Sequence, residues 1–238
     1  LLRRWAHLTR RQTQYVGLSA TIADGAAFFS SLVGLDQSVV EEVAPAQEHM
    51  ISEGAEYMLA LRGDPVSQAA LLSTTIQSLM LASRLLDKRQ DFVTRSRPFA
   101  GWRSFAFTDQ MDATNRLFFD LRDAEGRTES GIPATQRYPN GGLAHLRRES
   151  PDLRRYDGGQ DWRALEAIGH DLATRHRVER TTALDSGVSH DSEIVVATSA
   201  LEVGYDDPAV GVVLQHKAPR DMAQFLQRKG RAGRTRHM

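Results

Sequence analysis

Two arginines three residues apart, Arg231 and Arg234, close the run Gln227-Arg228-Lys229-Gly230-Arg231-Ala232-Gly233-Arg234. On a helix or tight turn, side chains at i and i+3 share a face, so both guanidinium groups can reach one target. A planar, permanently charged fork suits phosphate oxygens better than any other side chain. Neutralising a phosphate is therefore the chemistry these residues suggest. A glycine precedes each arginine and removes a Cβ where the backbone must come close to something. A basic helix end lying on the surface would carry the same residues, so the rest of the chain has to choose between the two readings.

Two further constellations stand at the ends of apolar runs. Ser19-Ala20-Thr21 follows Tyr15-Val16-Gly17-Leu18, and Thr198-Ser199-Ala200-Leu201-Glu202-Val203-Gly204-Tyr205-Asp206 follows the run Glu193 to Thr198. The carboxyl ends of strands are where open α/β sheets bind ligands. A glycine such as Gly204 at a turn there lets a backbone N–H approach an anion. Helix or turn capping by Ser19, Thr21 and Thr198 is the plainer alternative. Other chemistries find no support. There are no cysteines, so thiolate metal sites and cysteine nucleophiles are excluded. The eight histidines show no metal-ligand spacing, His145, His170 and His176 reading as surface or loop residues, and no G-x-S-x-G elbow occurs. Phe118-Phe119 and Trp162 read as packing residues rather than base-stacking platforms.

Together these segments resemble superfamily 2 helicases. Gln227 to Arg234 is similar to motif VI (QxxGRxGR), Gly17 to Ile22 to motif III, and Thr198 to Asp206 to motif V. Trp102 to Thr108 is a weaker match to motif IV, and Leu184 with Gly187 matches the F-x-x-G element before motif V, with leucine for phenylalanine. The resemblance implies roles residue by residue. Arg231 and Arg234 act as fingers on the γ-phosphate of ATP, with Gly204, Gln227 and Gly230 at the nucleotide and Asp206 facing the nucleotide or its arginine finger. Thr198 and Thr108 contact the nucleic-acid strand, and Ser19 and Thr21 couple ATP hydrolysis to lobe movement. It also implies ATP and Mg²⁺ as cofactors and an ATP-dependent helicase or translocase acting on DNA in preference to RNA. The T-S-A-L-E-V-G form is closer to Ski2-like and RecQ-adjacent DNA helicases than to DEAD-box RNA enzymes, and a DISARM-type defence or repair complex with protein partners is a compatible setting. An RNA helicase and a non-catalytic helicase-like binding module remain as alternatives.

The elements that must position these residues alternate between strand and helix, so the expected fold is α/β: a RecA-like parallel sheet flanked by helices. Strands are expected at Gln14 to Ser19, Val39 to Val43, Ala55 to Leu61, Trp102 to Thr108, Glu193 to Thr198 and Val210 to Leu214. Asp24 should cap a helix ending before Gly34, and Asp64-Pro65 should start a long helix with Ala69, Leu72, Ile76, Leu79 and Leu86 as its buried stripe. Asp109 or Asp112 should cap a helix carrying Leu117, Phe118 and Leu121, and Asp221 should cap the helix before the arginines. Leu165 to Leu172 reads as helical, with Val178 to Leu184 continuing it, and residues 126–159 read as an irregular insertion. The expected division is 1–61, the end of a first lobe, and 62–238, most of a second.

Composition sets the outer bounds. Of 238 residues, 41% are hydrophobic and 25% charged, and the formal net charge is zero, so bulk charge offers nothing towards nucleic-acid binding. Positive charge collects instead at Arg3, Arg4, Arg10 and Arg11, at Arg175, Arg177 and Arg180, and at the C-terminal arginines, while Glu41, Glu42, Glu48, Glu53 and Glu56 form an acidic cluster. No apolar run reaches membrane-spanning length, and with no cysteine the expected location is cytoplasmic. Only three lysines occur, none in a G-K-[ST] context, and no D-E-x-[HD] sequence is present. The expectation is that the chain starts after motif II and ends after motif VI, so that it carries half of an active site and is inactive alone.

Overall fold

Ile194–Ala197, a run of branched and small apolar residues, has all four side chains buried, as a strand covered on both faces must. In the computed structural model it is one of four parallel strands. The described residues are 4, 7–8, 14–19, 22–50, 55–62, 68–86, 101–127, 154, 175–183, 185, 187–201 and 205–234. The strands are β1 (Arg103–Phe107), β2 (Val178–Thr181), β3 (Ile194–Ala197) and β4 (Val210–Gln215), in the order β2-β3-β1-β4. Phe105 pairs with Val195 on one side of β1 and with Val213 on the other. The helices are α1 (Gly25–Val33), α2 (Gln68–Leu85), α3 (Met111–Ala124) and α4 (Met222–Lys229).

Strand alternation sorts the core onto two faces. Ala106, Ile194 and Val196 meet Ile76, Leu79 and Met80 of α2 and Leu117, Leu121 and Ala124 of α3. Phe105, Phe107, Val195 and Ala197 point the other way, where they gather Leu201, Val210, Tyr205 and Ala232. The α2–α3 side is also locked by a buried, bidentate ion pair, Arg84 to Glu125, at 2.8 Å for each contact. Glu125 in addition accepts from the His176 N–H at 3.0 Å, which fixes the chain entering β2. These features establish an α/β fold with a parallel sheet flanked by helices, as the alternation of elements implied.

Several local expectations need correction. Val178 to Thr181 is a strand, not the continuation of a helix, because it finds β3 as a parallel partner along its whole length. Neither Asp109 nor Asp112 caps α3; the N-cap is Gln110, without a side-chain bond, and Asp109 is taken by Arg228. Asp24 does occupy the N-cap position of α1, yet makes no capping bond; Glu42 accepts from the Ala26 N–H at 3.2 Å instead. Gly34 ends α1 at φ 69, and Asp221 caps α4 through the Gln224 N–H at 2.7 Å, both as expected.

The chain divides into two compact units, Leu1–Tyr57 and Met58–Met238, whereas the sequence placed the division after residue 61. In the first unit the expected strands at 14–19 and 39–43 do not form, nor does the one at 55–61. Leu18 is 96% exposed and Val43 89%. An isolated extended segment satisfies no ladder, and these segments have no strand beside them among the described residues. The helix expected at 165–172, the start at Asp64-Pro65, and nearly all of the 126–159 insertion lie outside the described residues, as do His145, Trp162 and His170.

Candidate functional site

The amphipathic helix α4 ends at Gly230, whose N–H returns to the carbonyls of Leu226 and Arg228. From there the chain turns sharply, and the Gly233 N–H donates to the carbonyl of Val210, the first residue of β4, at 3.0 Å. α4 thus runs back along the sheet, and Arg231 and Arg234 emerge at the amino-terminal edge. The two glycines act differently. A Cβ on Gly230 would lie 3.1 Å from the Leu226 carbonyl of its own helix, whereas Gly233 has open space around it and is needed for its φ of 69.

The two arginines also differ. Arg231 is 9% exposed, and its Nη1 donates to the Tyr205 carbonyl. Arg234 is exposed; its Nε donates to the Gly230 carbonyl at 2.6 Å and its Nη1 to Asp206 Oδ1 at 2.8 Å. Asp206 and Arg234 are thereby brought together, in one of the two arrangements that the resemblance implies for Asp206. Gln227 sits half-buried on α4, and Gly204 lies outside the described residues.

The turn that receives both arginines is held by residues that the sequence did not single out. Arg103, at the start of β1, is 4% exposed. It donates through Nε to the Ser192 carbonyl at 2.8 Å, through Nη2 to those of Ser189 and His190 at 3.2 and 2.9 Å, and through Nη1 to the Asp207 carboxylate. Asp207 Oδ1 accepts from the Ala209 N–H at 2.9 Å. The Tyr205 hydroxyl lies 3.4 Å from Asp207 Oδ2, and its ring packs 5.8 Å from that of Phe105. Burial and then the Asp207 charge push the Tyr205 phenol above its ordinary value, so it stays a neutral donor. Arg103 thus ties the entry to β3 and the entry to β4 to one guanidinium. A charged residue opening a buried strand was the one available signal.

Arg228 was equally hidden from a local reading. It is 2% exposed, bonds Gln215 Oε1 through Nη1, and pairs with Asp109 Oδ1 at 2.6 Å through Nη2. Its guanidinium lies 5.3 Å from the centre of the Phe107 ring. One side chain on α4 therefore joins the carboxyl ends of β1 and β4.

The threonines lie at the sheet's other edge. Thr198 is half-buried at the carboxyl end of β3, and its hydroxyl has no hydrogen bond among the described residues. Thr108, at the end of β1, is fully buried; its Oγ1 lies 2.5 Å from Thr114 Oγ1 and 3.3 Å from the Gln110 carbonyl. Its hydroxyl is satisfied inside the start of α3. Ser19 is exposed in an irregular segment of the first unit, and Thr21 lies outside the described residues. His176 is half-buried, its Nδ1 lying 3.2 Å from Glu193 Oε1, and the cluster around it is partly self-satisfied: Arg127 donates to the His176 and Arg175 carbonyls, and Arg180 to Asn115 and Asp185. Among the described residues no group of three or more acidic or histidine side chains could hold a metal, and no helix is long and apolar enough to cross a membrane.

A four-stranded parallel sheet with helices against it, paired arginines behind its last helix and a threonine at the end of a central strand define a RecA-like α/β domain. Residues 163–236 match the family model described as Helicase conserved C-terminal domain, and this match together with the relatives below supports a superfamily 2 helicase C-terminal fragment. The chain is 35% identical over 86 residues to the putative ATP-dependent DNA helicase Q1 of Caenorhabditis briggsae, covering 34% of this chain and 14% of the relative. It is 26% identical over 136 residues to the ATP-dependent DNA helicase Q1 of Pongo abelii, covering 56% and 21%. It is 25% identical over 138 residues to the ATP-dependent RNA helicase DBP3 of Saccharomyces cerevisiae, covering 56% and 26%. The matches thus span about a quarter or less of these relatives. No solved structure gives a significant match.

Proposed function

We propose that the intact protein is an ATP-dependent nucleic-acid helicase or translocase, acting on DNA, and that this domain supplies its arginine finger and one strand contact. The observation that carries the reading is the exposed guanidinium of Arg234, held on a rigid turn by the Gly230 carbonyl and paired with Asp206. An arginine preorganised in this way needs little reorganisation when it meets a phosphate. ATP, when bound, supplies the phosphoryl group whose transfer to water drives movement. Arg234 then exchanges Asp206 for a γ-phosphate oxygen. Arg231, packed against the Tyr205 carbonyl, sets the turn from which Arg234 projects and adds positive potential at the phosphates. Gln227 and Gly230 border this edge, and Gly204, outside the described residues, keeps the nucleotide role that the resemblance implies. Mg²⁺ is assigned with ATP, as the resemblance implies, mainly to helicase motifs that this sequence does not carry.

Thr198, with its hydroxyl open at the opposite edge, is the strand contact; Ser19 and Thr21 remain the coupling residues of the first unit. DNA is favoured because two of the relatives named above are called DNA helicases, against one RNA helicase. Turnover stimulated by RNA and not by DNA would establish the other polymer. In the full-length protein, Arg234→Ala should lower ATP turnover by about 10³-fold or more while nucleic-acid affinity holds. Turnover at the parent rate refutes the finger.

A further inference from the structure

The carboxyl edge of the sheet carries a second feature beside Thr198. Asp109, Gln110 and Ala113 from the start of α3, with His216, Lys217 and Arg220 after β4, line a pocket of about 190 Å³. Its charges are unbalanced. The carboxylate it contains, Asp109, is already neutralised by buried Arg228 at 2.6 Å. Lys217 and Arg220 are exposed, and neither side chain has an ion pair among the described residues. His216 is 7% exposed and anchored with Nδ1 2.7 Å from Thr75 Oγ1, so it forms a fixed wall. α3 starts without a side-chain cap, which leaves its first N–H groups on the pocket side without acceptors from their own helix. The space is smaller than a typical small-molecule site and fits a phosphate group better than a whole nucleotide.

Lys217 holds a φ of 67. Such a conformation is uncommon for a residue with a Cβ, and glycine would adopt it more readily. The turn itself therefore does not call for a lysine. We propose that this pocket binds a backbone phosphate of the same nucleic-acid strand that Thr198 contacts, with Lys217 and Arg220 as its cationic ligands. This rests on the strand-contact reading given above. β3, β1 and β4 are successive neighbours, so Thr198 and the pocket are two strand spacings apart, about 10 Å. A stacked strand covers that distance in about three nucleotides.

The test is binding of a fluorescent oligo-dT to the full-length protein across a salt series. The double variant Lys217→Gly, Arg220→Ala should weaken binding and flatten the plot of log affinity against log salt by about 0.7 for each phosphate that is no longer neutralised. Its melting temperature should not fall, since glycine relieves the backbone at 217 and Arg220 is exposed. If the double variant does melt lower, Arg220→Ala alone carries the comparison. An unchanged slope while Thr198→Ala weakens binding overturns the pocket and leaves the strand reading standing. No nucleic-acid binding by the parent overturns both. Weaker binding of ATP without oligonucleotide, at unchanged slope, would assign the pocket to the nucleotide and also overturn the proposal.

Discussion

Replacing Arg228 with alanine should cost this domain about 3 kcal/mol, although Arg228 touches neither proposed ligand. The side chain is 2% exposed and hydrogen-bonds both Gln215 and the carboxylate of Asp109. Bonds to charged groups contribute about 1.5–3 kcal/mol each, and the guanidinium over the Phe107 ring adds about 0.5–2 kcal/mol. Stripping one partner from a buried ion pair costs about 3–5 kcal/mol because the other charge is stranded. Here Asp109 keeps 19% of its side chain in water and can partly rehydrate, which places the expected cost at the low end of that range. For a unit the size of Met58–Met238, 3 kcal/mol corresponds to a fall in melting temperature of about 6–12 °C. Urea or thermal unfolding monitored by circular dichroism measures it. Adding Asp109→Asn should recover part of the loss, because the stranded charge is then gone. A cost below about 1 kcal/mol, or an Asp109→Asn penalty that simply adds to the first, would show that the pair does not hold β1 and β4 together.

Two glycines offer a contrast in mechanism. Gly233→Ala meets open space and only its φ of 69 opposes it, so about 1–2 kcal/mol is expected. Gly101→Ala has φ 78 and also drives a Cβ to 2.5 Å from the Ala209 carbonyl, so its cost should be the larger; equal unfolding midpoints would contradict this. The third prediction concerns pH. Burial, then the Lys217 charge, hold the His216 imidazole below its ordinary value. With the folded value depressed, the stabilisation is complete above the unfolded value of about 6.5 and is lost as pH falls through the folded one. His216→Asn should therefore flatten stability against pH below about 6.5, and parallel profiles for parent and variant would exclude His216 as the cause.

Much of the second unit was legible because its elements have one signal each. Ile194–Ala197 reads as a buried strand by composition alone, and Asp221 reads as a cap because a cap is made within four residues. Where the deciding partner lies far along the chain, local reading failed. Val178–Thr181 is a strand because β3 lies beside it, and Asp109 is not a cap because an arginine 119 residues away claims it. Thr108 is a local case instead: the resemblance implies a strand contact, and its hydroxyl meets that of Thr114 six residues on.

The sequence by itself determined the chemistry: two arginines on one short turn, a threonine after a buried strand, and the alternation that makes a parallel α/β sheet. Only the tertiary structure decided how that chemistry is distributed. α4 folds back along β4, so the arginines stand at the amino-terminal edge with Asp206 while Thr198 stands at the carboxyl-terminal edge. It also separated exposed Arg234 from packed Arg231, two residues of one type in one motif. The physical reason is that spacing along a chain fixes which side chains share a local face. Burial and charge pairing depend on what the fold brings against that face, and here that is Tyr205, Arg103 and Asp207.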